Sequence, residues 1–194
     1  MSDGMRVSEP HVLMVDDEKT VADAYALRLE DVAEVTVVYS GEAALDTVGD
    51  GRVPDVVLLD RHMPGMSGDE VLKRIREREL ETRVIMVTAI DPDLDILDMP
   101  FDDYLSKPVD RADVRAAVDQ QCQVLAYELL GEYFRLESTR AVVTAQLPPE
   151  DLEGDGELAD VEARLSVVEE RVRSLLPEAE ELLSSFDGID RNEY

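Results

Sequence analysis

The chain has 194 residues, 44% of them hydrophobic, and a formal net charge of −27 from 46 acidic and 19 basic side chains. This apolar content excludes wholesale disorder, and the length favours one domain with an appendage or two small domains. A single cysteine excludes an internal disulfide, and no apolar stretch approaches the ~18 residues of a membrane-spanning helix. We therefore predict a soluble cytoplasmic protein with no membrane association.

The acidic residues are spread along the chain, with 28 in residues 1–120 and 18 in residues 121–194. Such a surface repels itself at ordinary salt, but the Debye length falls to about 3 Å at molar salt. Acid-rich, lysine-poor chains resemble the proteins of halophiles, and we interpret this chain as a haloarchaeal protein. The alternative is an acidic regulator that avoids nucleic acid. In either case the charge disfavours a nucleic-acid partner, because phosphate binding depends on Lys and Arg.

Residues 1–10 are polar and read as a flexible leader, and an alternation of β-like and helical patterns follows. Apolar runs predict strands at 11–15, 35–39, 55–60 and 84–88 and around 104–105. Apolar spacing predicts helices at 17–30, 41–48 and 69–79, with Ser40 as the N-cap of the second. This alternation predicts an α/β fold, a doubly wound five-stranded parallel sheet with helices on both faces.

A helical pattern beginning at Asp110 continues past residue 120 towards Leu147, and a polar break follows near residues 148–156. A second helical stretch carries an apolar seam over some four heptads, and Pro177 predicts a kink or break within it. We favour an α-helical hairpin of the two stretches over the alternative, a homodimeric coiled coil. The seam consists of Leu158, Val161, Leu165, Val168, Val172, Leu175, Ala179, Leu182 and Phe186.

Polar groups stand at the carboxyl ends of four predicted strands. They are the pair Asp16-Asp17, Asp60, Thr88 and Lys107. Taken singly, each has an ordinary explanation as a helix cap, turn residue, strand end or surface turn. The carboxyl edge of an open parallel sheet is, however, where ligands bind. Three carboxylates, a hydroxyl and an ammonium gathered there would suit a divalent cation and a phosphoryl group.

These residues stand in a familiar order: the acidic pair, Asp60 with its Met63-Pro64-Gly65 tail, Thr88-Ala89, and Tyr104-x-x-Lys107-Pro108. With this order and spacing, the chain from about Val7 to Gln120 resembles the receiver domain of two-component response regulators. The resemblance implies a flavodoxin-like receiver over residues 11–120 and a sensor histidine kinase as phosphoryl donor. It also implies a role for each site residue: Asp60 as phosphoacceptor, Asp17 and Asp60 as direct Mg²⁺ ligands, Asp16 as a ligand largely through water, the His62 backbone carbonyl as a further ligand, Thr88 and Lys107 as phosphoryl-stabilising groups, and Tyr104 as the switch.

The chain differs from the receiver pattern between Thr88 and Tyr104. Receivers usually carry a full helix there, whereas Pro92 and Pro100 bracket at most two helical turns here. That helix is normally part of the output face, so we do not transfer the family's usual dimer geometry to this chain.

Residues 121–194 resemble the HalX domain, a small helical module attached to receivers in haloarchaea, through their position, composition and two-helix pattern.

Our hypothesis is a phosphoacceptor signalling protein with a helical output module, capable at most of slow self-dephosphorylation. We leave open whether the chain forms a homodimer through the C-terminal helices or through the receiver. One alternative is a DNA-binding transcriptional regulator under the same control. Another is a haloacid-type phosphatase, but His62 stands where that class needs a second Asp.

Overall fold

The structure is a computed structural model that describes residues 9–49, 52–89, 94–148, 152 and 156–184. These residues divide into two compact units, residues 9–125 and residues 126–184. Some sequence expectations lie outside the described residues. They concern leader residues 1–8, residues 91–93, most of the break between the C-terminal helices, and Phe186.

The first unit contains one sheet of five parallel strands in the order β2-β1-β3-β4-β5. All five predicted strands are present, each within a residue or two of its predicted bounds, and the predicted fold class is confirmed. The strands are β1 (His11–Val15), β2 (Glu34–Val38), β3 (Val56–Leu59), β4 (Arg83–Thr88) and β5 (Asp103–Ser106).

Three helices connect the first four strands: α1 (Lys19–Leu29), α2 (Gly41–Gly49) and α3 (Gly68–Glu77). The predicted Ser40 cap is present, since its Oγ accepts the Ala43 N–H at 3.2 Å. Ser67 caps α3 in the same way, accepting the Glu70 N–H at 3.3 Å. These caps satisfy amide donors that a helix leaves unpaired at its start, and they explain where both helices begin.

The core lies on the three central strands. Every residue of β1 and β3, and all of β4 after Arg83, is buried. Because helices cover both faces of a parallel sheet, these strands are continuous apolar runs instead of alternating ones. The edge strand β2 is more exposed. Burial of the central strands anchors their carboxyl ends, and the polar groups that follow them, in one place.

A 3₁₀ helix, Leu94–Asp98, precedes β5. Five residues of 3₁₀ helix agree with the expectation of at most two turns between Pro92 and Pro100. The described part of this connection therefore departs from the full helix usual in receivers.

The C-terminal part contains α4 (Arg111–Gln146), α5 (Gly156–Leu175) and α6 (Ala179–Ser184). As predicted, α4 continues without interruption through residues 120 and 121, the point at which we placed the domain boundary. The boundary itself stays a prediction. Pro177 lies between α5 and α6, so the predicted break is confirmed.

Within the second unit the helices form the predicted hairpin. Arg164 of α5 binds Glu132 of α4 through two hydrogen bonds of 2.8 and 2.7 Å. The Tyr127 hydroxyl donates to Glu178 at 3.3 Å. The contact on α4 therefore moves backwards from Glu132 to Tyr127 as the chain moves forwards from Arg164 in α5 to Glu178 just beyond it, so α4 and α5 are antiparallel. The seam residues Leu165, Val168, Val172, Leu175 and Ala179 are buried within the chain.

Among the residues that the structure describes, no helix combines the length and apolarity needed to cross a membrane.

Candidate functional site

The parallel sheet brings the polar strand ends together at one edge. Asp16 follows β1, Asp60 follows β3, Thr88 ends β4 and Lys107 follows β5. Backbone hydrogen bonds continue just beyond the strands: the Asp60 N–H donates to the Val15 carbonyl at 2.9 Å, and the Lys107 N–H to the Thr88 carbonyl at 2.7 Å. Both side chains therefore start from backbone that is part of the sheet.

Lys107 lies between two buried carboxylates. Its Nζ is 2.6 Å from Asp16 Oδ2 and 2.6 Å from Asp60 Oδ1. The three side chains are 14%, 1% and 9% exposed. Burial alone would lower the pKa of Lys107, but the hydrogen bonds and negative charges of Asp16 and Asp60 outweigh it and raise that pKa above its usual value. A charged ammonium between two carboxylates leaves an excess of negative charge.

The second oxygen of each carboxylate accepts a backbone N–H. Asp16 Oδ1 accepts from Glu18 at 2.8 Å, and Asp60 Oδ2 accepts from His62 at 2.8 Å. Each carboxylate is therefore held at two points. The His62 side chain is exposed, as expected, and only its backbone contacts the site.

The remaining predicted site residues lie around this group. Asp17 is half-buried in the loop after Asp16, and Thr88 is only 1% exposed at the end of β4. Tyr104 is half-buried on β5, with its ring centroid 5.7 Å from that of Phe101, and it packs against the core. The roles of all three stay predictions.

The donor chemistry of the site suits Mg²⁺. The three aspartates do not form a ready-made group of three metal-holding side chains, and neither does any other set within the described part of the chain. Mg²⁺ does not require one, because it keeps several waters and binds through one or two carboxylates plus phosphate oxygens. Two buried carboxylates opposed by one ammonium provide hard oxygen donors and unbalanced negative charge. The residues present therefore fit this ion.

Sequence reasoning missed an ion pair beside Asp60. Arg61 is 7% exposed, with its Nε 3.1 Å from Asp69 Oδ1 and its Nη2 3.2 Å from Asp69 Oδ2. The available signal was a basic residue directly after a buried strand, with an acidic residue in the first turn of the following helix. Neither feature is specific without the fold.

Gly68 was also missed as a structural requirement of the site. Its N–H donates to the Arg61 carbonyl at 2.9 Å, which closes the loop from β3 to α3. A Cβ at this position would lie 2.2 Å from the Asp60 backbone oxygen. Only glycine permits this approach, so Gly68 allows α3 to start against the strand end that carries Asp60.

Comparison with known families identifies the class of the chain. Residues 12–119 match the response regulator receiver domain, and residues 123–187 match the HalX domain. The chain therefore belongs to the response regulator receiver family of two-component systems and carries a HalX domain.

Three relatives illustrate the match. A Haloferax volcanii protein named as a transcriptional regulator is 45% identical over 166 residues, covering 84% of this chain and 28% of its own length. The transcriptional regulatory protein CutR of Streptomyces coelicolor is 46% identical over 102 residues, covering 50% of this chain and 46% of its own length. The chain thus spans between about a quarter and a half of these relatives.

The third relative is a solved structure. The response regulator TrrA of Thermotoga maritima, in complex with Mg²⁺ and BeF, is 30% identical, with a TM-score of 0.54. It covers 58% of this chain, and the match covers 98% of TrrA.

Proposed function

We propose that the protein receives a phosphoryl group on Asp60 from a phosphohistidine of a sensor histidine kinase and passes this state to its helical module. The observation that carries the proposal is the buried Asp16–Lys107–Asp60 group at the carboxyl edge of the sheet, with both contacts at 2.6 Å. Membership of the receiver family supports the same assignment.

The chemistry is a phosphoryl transfer to a carboxylate. An Asp60 oxygen attacks the phosphorus, the P–N bond to the donor imidazole breaks, and the electron pair of that bond returns to the ring nitrogen. The product is an acyl phosphate. Lys107, already beside Asp60, neutralises charge on the phosphoryl oxygens, and the Thr88 hydroxyl donates a hydrogen bond to one of them.

Mg²⁺ is the cofactor we propose. Asp17, Asp60 and the His62 backbone carbonyl would hold it directly, and Asp16 largely through water. When bound, the ion supplies positive charge that offsets the charge on the transferred group. The Mg²⁺ complex of TrrA supports this choice.

The phosphoryl group adds charge and acceptor oxygens that attract Thr88 and let Tyr104 rotate inward. The change at Thr88 and Tyr104 then acts on the helical module, which engages a downstream partner. The partner is either another protein or a second copy of the chain, bound through the C-terminal helices or the receiver. We place the protein in the cytoplasm of a haloarchaeon, which the HalX match and the Haloferax relative support.

Treatment with acetyl phosphate and Mg²⁺, followed by Phos-tag electrophoresis and mass spectrometry, tests the acceptor. We expect one phosphoryl group per chain on Asp60, none in Asp60→Asn, and normal labelling in Asp46→Asn, which changes an exposed aspartate on α2. Labelling that persists in Asp60→Asn refutes the assignment.

A DNA-binding regulator is the second candidate, because two relatives are named as transcriptional regulators. Against it, residues 121–194 contain no lysine and have 18 acidic residues against 6 basic ones. A gel-shift titration with genomic DNA over a range of salt separates the two functions. Turnover of phosphomonoesters, measured in parallel, separates both from a phosphatase, for which we expect negligible activity.

A further inference from the structure

We infer that Arg61 and Asp69 are positioning residues for phosphoryl acceptance: their ion pair holds the His62 backbone against Asp60 in the geometry that binds Mg²⁺. The inference rests on the proposed function and adds two residues to it. Neither residue touches the reacting atoms.

Arg61 and Asp69 make a two-pronged contact in which the arginine side chain is buried. Nε of Arg61 is 3.1 Å from Asp69 Oδ1 and 3.3 Å from Oδ2, and Nη2 is 3.2 Å from Oδ2. The Arg61 side chain is 8% exposed and that of Asp69 is 43% exposed. In the surface pair Lys73–Glu77, by contrast, the side chains are 74% and 61% exposed. A planar, two-pronged arginine–carboxylate pair fixes orientation as well as distance, which an exposed lysine pair does not.

The pair spans the loop that carries the site. Arg61 follows Asp60 directly and precedes His62, whose N–H donates to Asp60 Oδ2. At the other end, Gly68 is in contact with the Asp60 backbone and donates its N–H to the Arg61 carbonyl. Backbone contacts therefore close the base of the loop, and the Arg61–Asp69 pair closes it through side chains. The backbone contacts and the Arg61–Asp69 ion pair together fix the orientation of the backbone at residues 61 and 62.

A simpler role for Asp69 would be favourable charge at the start of α3, since an acidic group there interacts with the helix dipole. Glu70 provides the matched comparison. It lies in the same first turn, and it pairs with Arg74 at 2.5 Å in an exposed contact within the helix. Asp69→Asn and Glu70→Gln each remove one negative charge from that turn, but only the first removes the ion pair with Arg61 and one of its two acceptor oxygens.

The test measures Asp60 labelling by acetyl phosphate at increasing Mg²⁺, together with direct calorimetric titration of the unmodified protein with Mg²⁺. We expect Asp69→Asn to raise the half-saturating Mg²⁺ concentration about tenfold, as is typical when a group that orients metal ligands is lost. We expect Glu70→Gln to change it less than about twofold, and Asp69→Glu to recover part of the loss. Amide hydrogen exchange at His62 should accelerate in Asp69→Asn alone.

Equal Mg²⁺ dependence in folded Asp69→Asn and Glu70→Gln overturns the inference. If Asp69→Asn does not fold, Arg61→Lys gives the decisive comparison, because it keeps the charge and loses the planar contact. An Arg61→Lys variant that binds Mg²⁺ with wild-type affinity also overturns the inference. A wild-type chain that is not labelled on Asp60 instead refutes the proposed function, and Mg²⁺ calorimetry still decides the inference.

Discussion

Asp16 and Asp60 show how charge is kept at the end of a buried strand. Removing a carboxylate from water costs several kcal/mol unless partners replace its hydration. Here one oxygen of each carboxylate binds Lys107 and the other accepts a backbone N–H. The site is therefore held in place by the same contacts that make its burial tolerable.

Cys122 provides a residue-scale prediction. Its thiol is 4% exposed; burial, and then the charges of Asp55 and Asp119, raise its pKa to about 12. Since thiolate is the reactive form, alkylation by iodoacetamide at pH 8 should be on the order of 1,000-fold slower in the native protein than in guanidinium. Mass spectrometry of timed samples measures both rates. Similar rates in the two solvents would contradict this environment.

At the scale of elements, α1 holds the chain segment that leads from Lys107 into α4. The Val109 N–H donates to the Tyr25 hydroxyl at 3.2 Å, and the Val109 carbonyl accepts from Arg28. In α4, Arg115 donates to the Arg28 carbonyl at 2.8 Å. The segment that leads into α4 is thus anchored to α1 two residues after Lys107, and α4 itself is anchored to α1 at Arg115.

Two glycines should respond oppositely to alanine. Gly68→Ala forces a Cβ against the Asp60 backbone, and overpacking of this kind costs about 1–3 kcal/mol. Gly131 lies within α4, and no described atom outside its own helical turns comes within 4 Å of the place that a Cβ would occupy. Gly131→Ala should therefore stabilise the protein by about 0.5–1 kcal/mol through helix propensity. Denaturant unfolding followed by circular dichroism measures both changes. A neutral Gly68→Ala would mean that the loop can relax.

At the scale of the whole molecule, the charge of −27 opposes compaction wherever it is unscreened. The exposed ion pairs contribute little to offset it, since such pairs are individually worth about 0–1 kcal/mol. Stability should therefore depend on the ionic strength of the solvent more than on any single surface contact.

We expect the melting temperature to rise by more than about 5 °C between 0.1 and 3 M KCl, corresponding to roughly 1–2 kcal/mol for a chain of this size. Differential scanning calorimetry measures the shift, and trehalose at matched osmolality controls for effects unrelated to charge. A melting temperature that is unchanged or lower in KCl would contradict an electrostatic origin.

Local sequence patterns predicted most of the strands and helices, and the small errors in their bounds have local causes. The central strands were recognisable because burial on both faces makes them uninterrupted apolar runs. The first helix was placed two residues too early. Asp16 accepts the Glu18 N–H, so the chain turns there and α1 begins only at Lys19. The Arg61–Asp69 pair was not foreseen, because its importance depends on how closely α3 approaches β3.

The sequence by itself determined the receiver pattern, the strand ends that carry polar groups, the length of α4 and the break at Pro177, because each depends on neighbouring residues or on a short repeat. The strand ends also predicted that these polar groups gather at one edge of the sheet, but only the tertiary structure decided which of their atoms are in contact. Lys107 reaches Asp60 across 47 positions and Asp16 across 91, and Arg164 reaches Glu132 across 32. Strand order and helix packing set such contacts, and no local spacing encodes them.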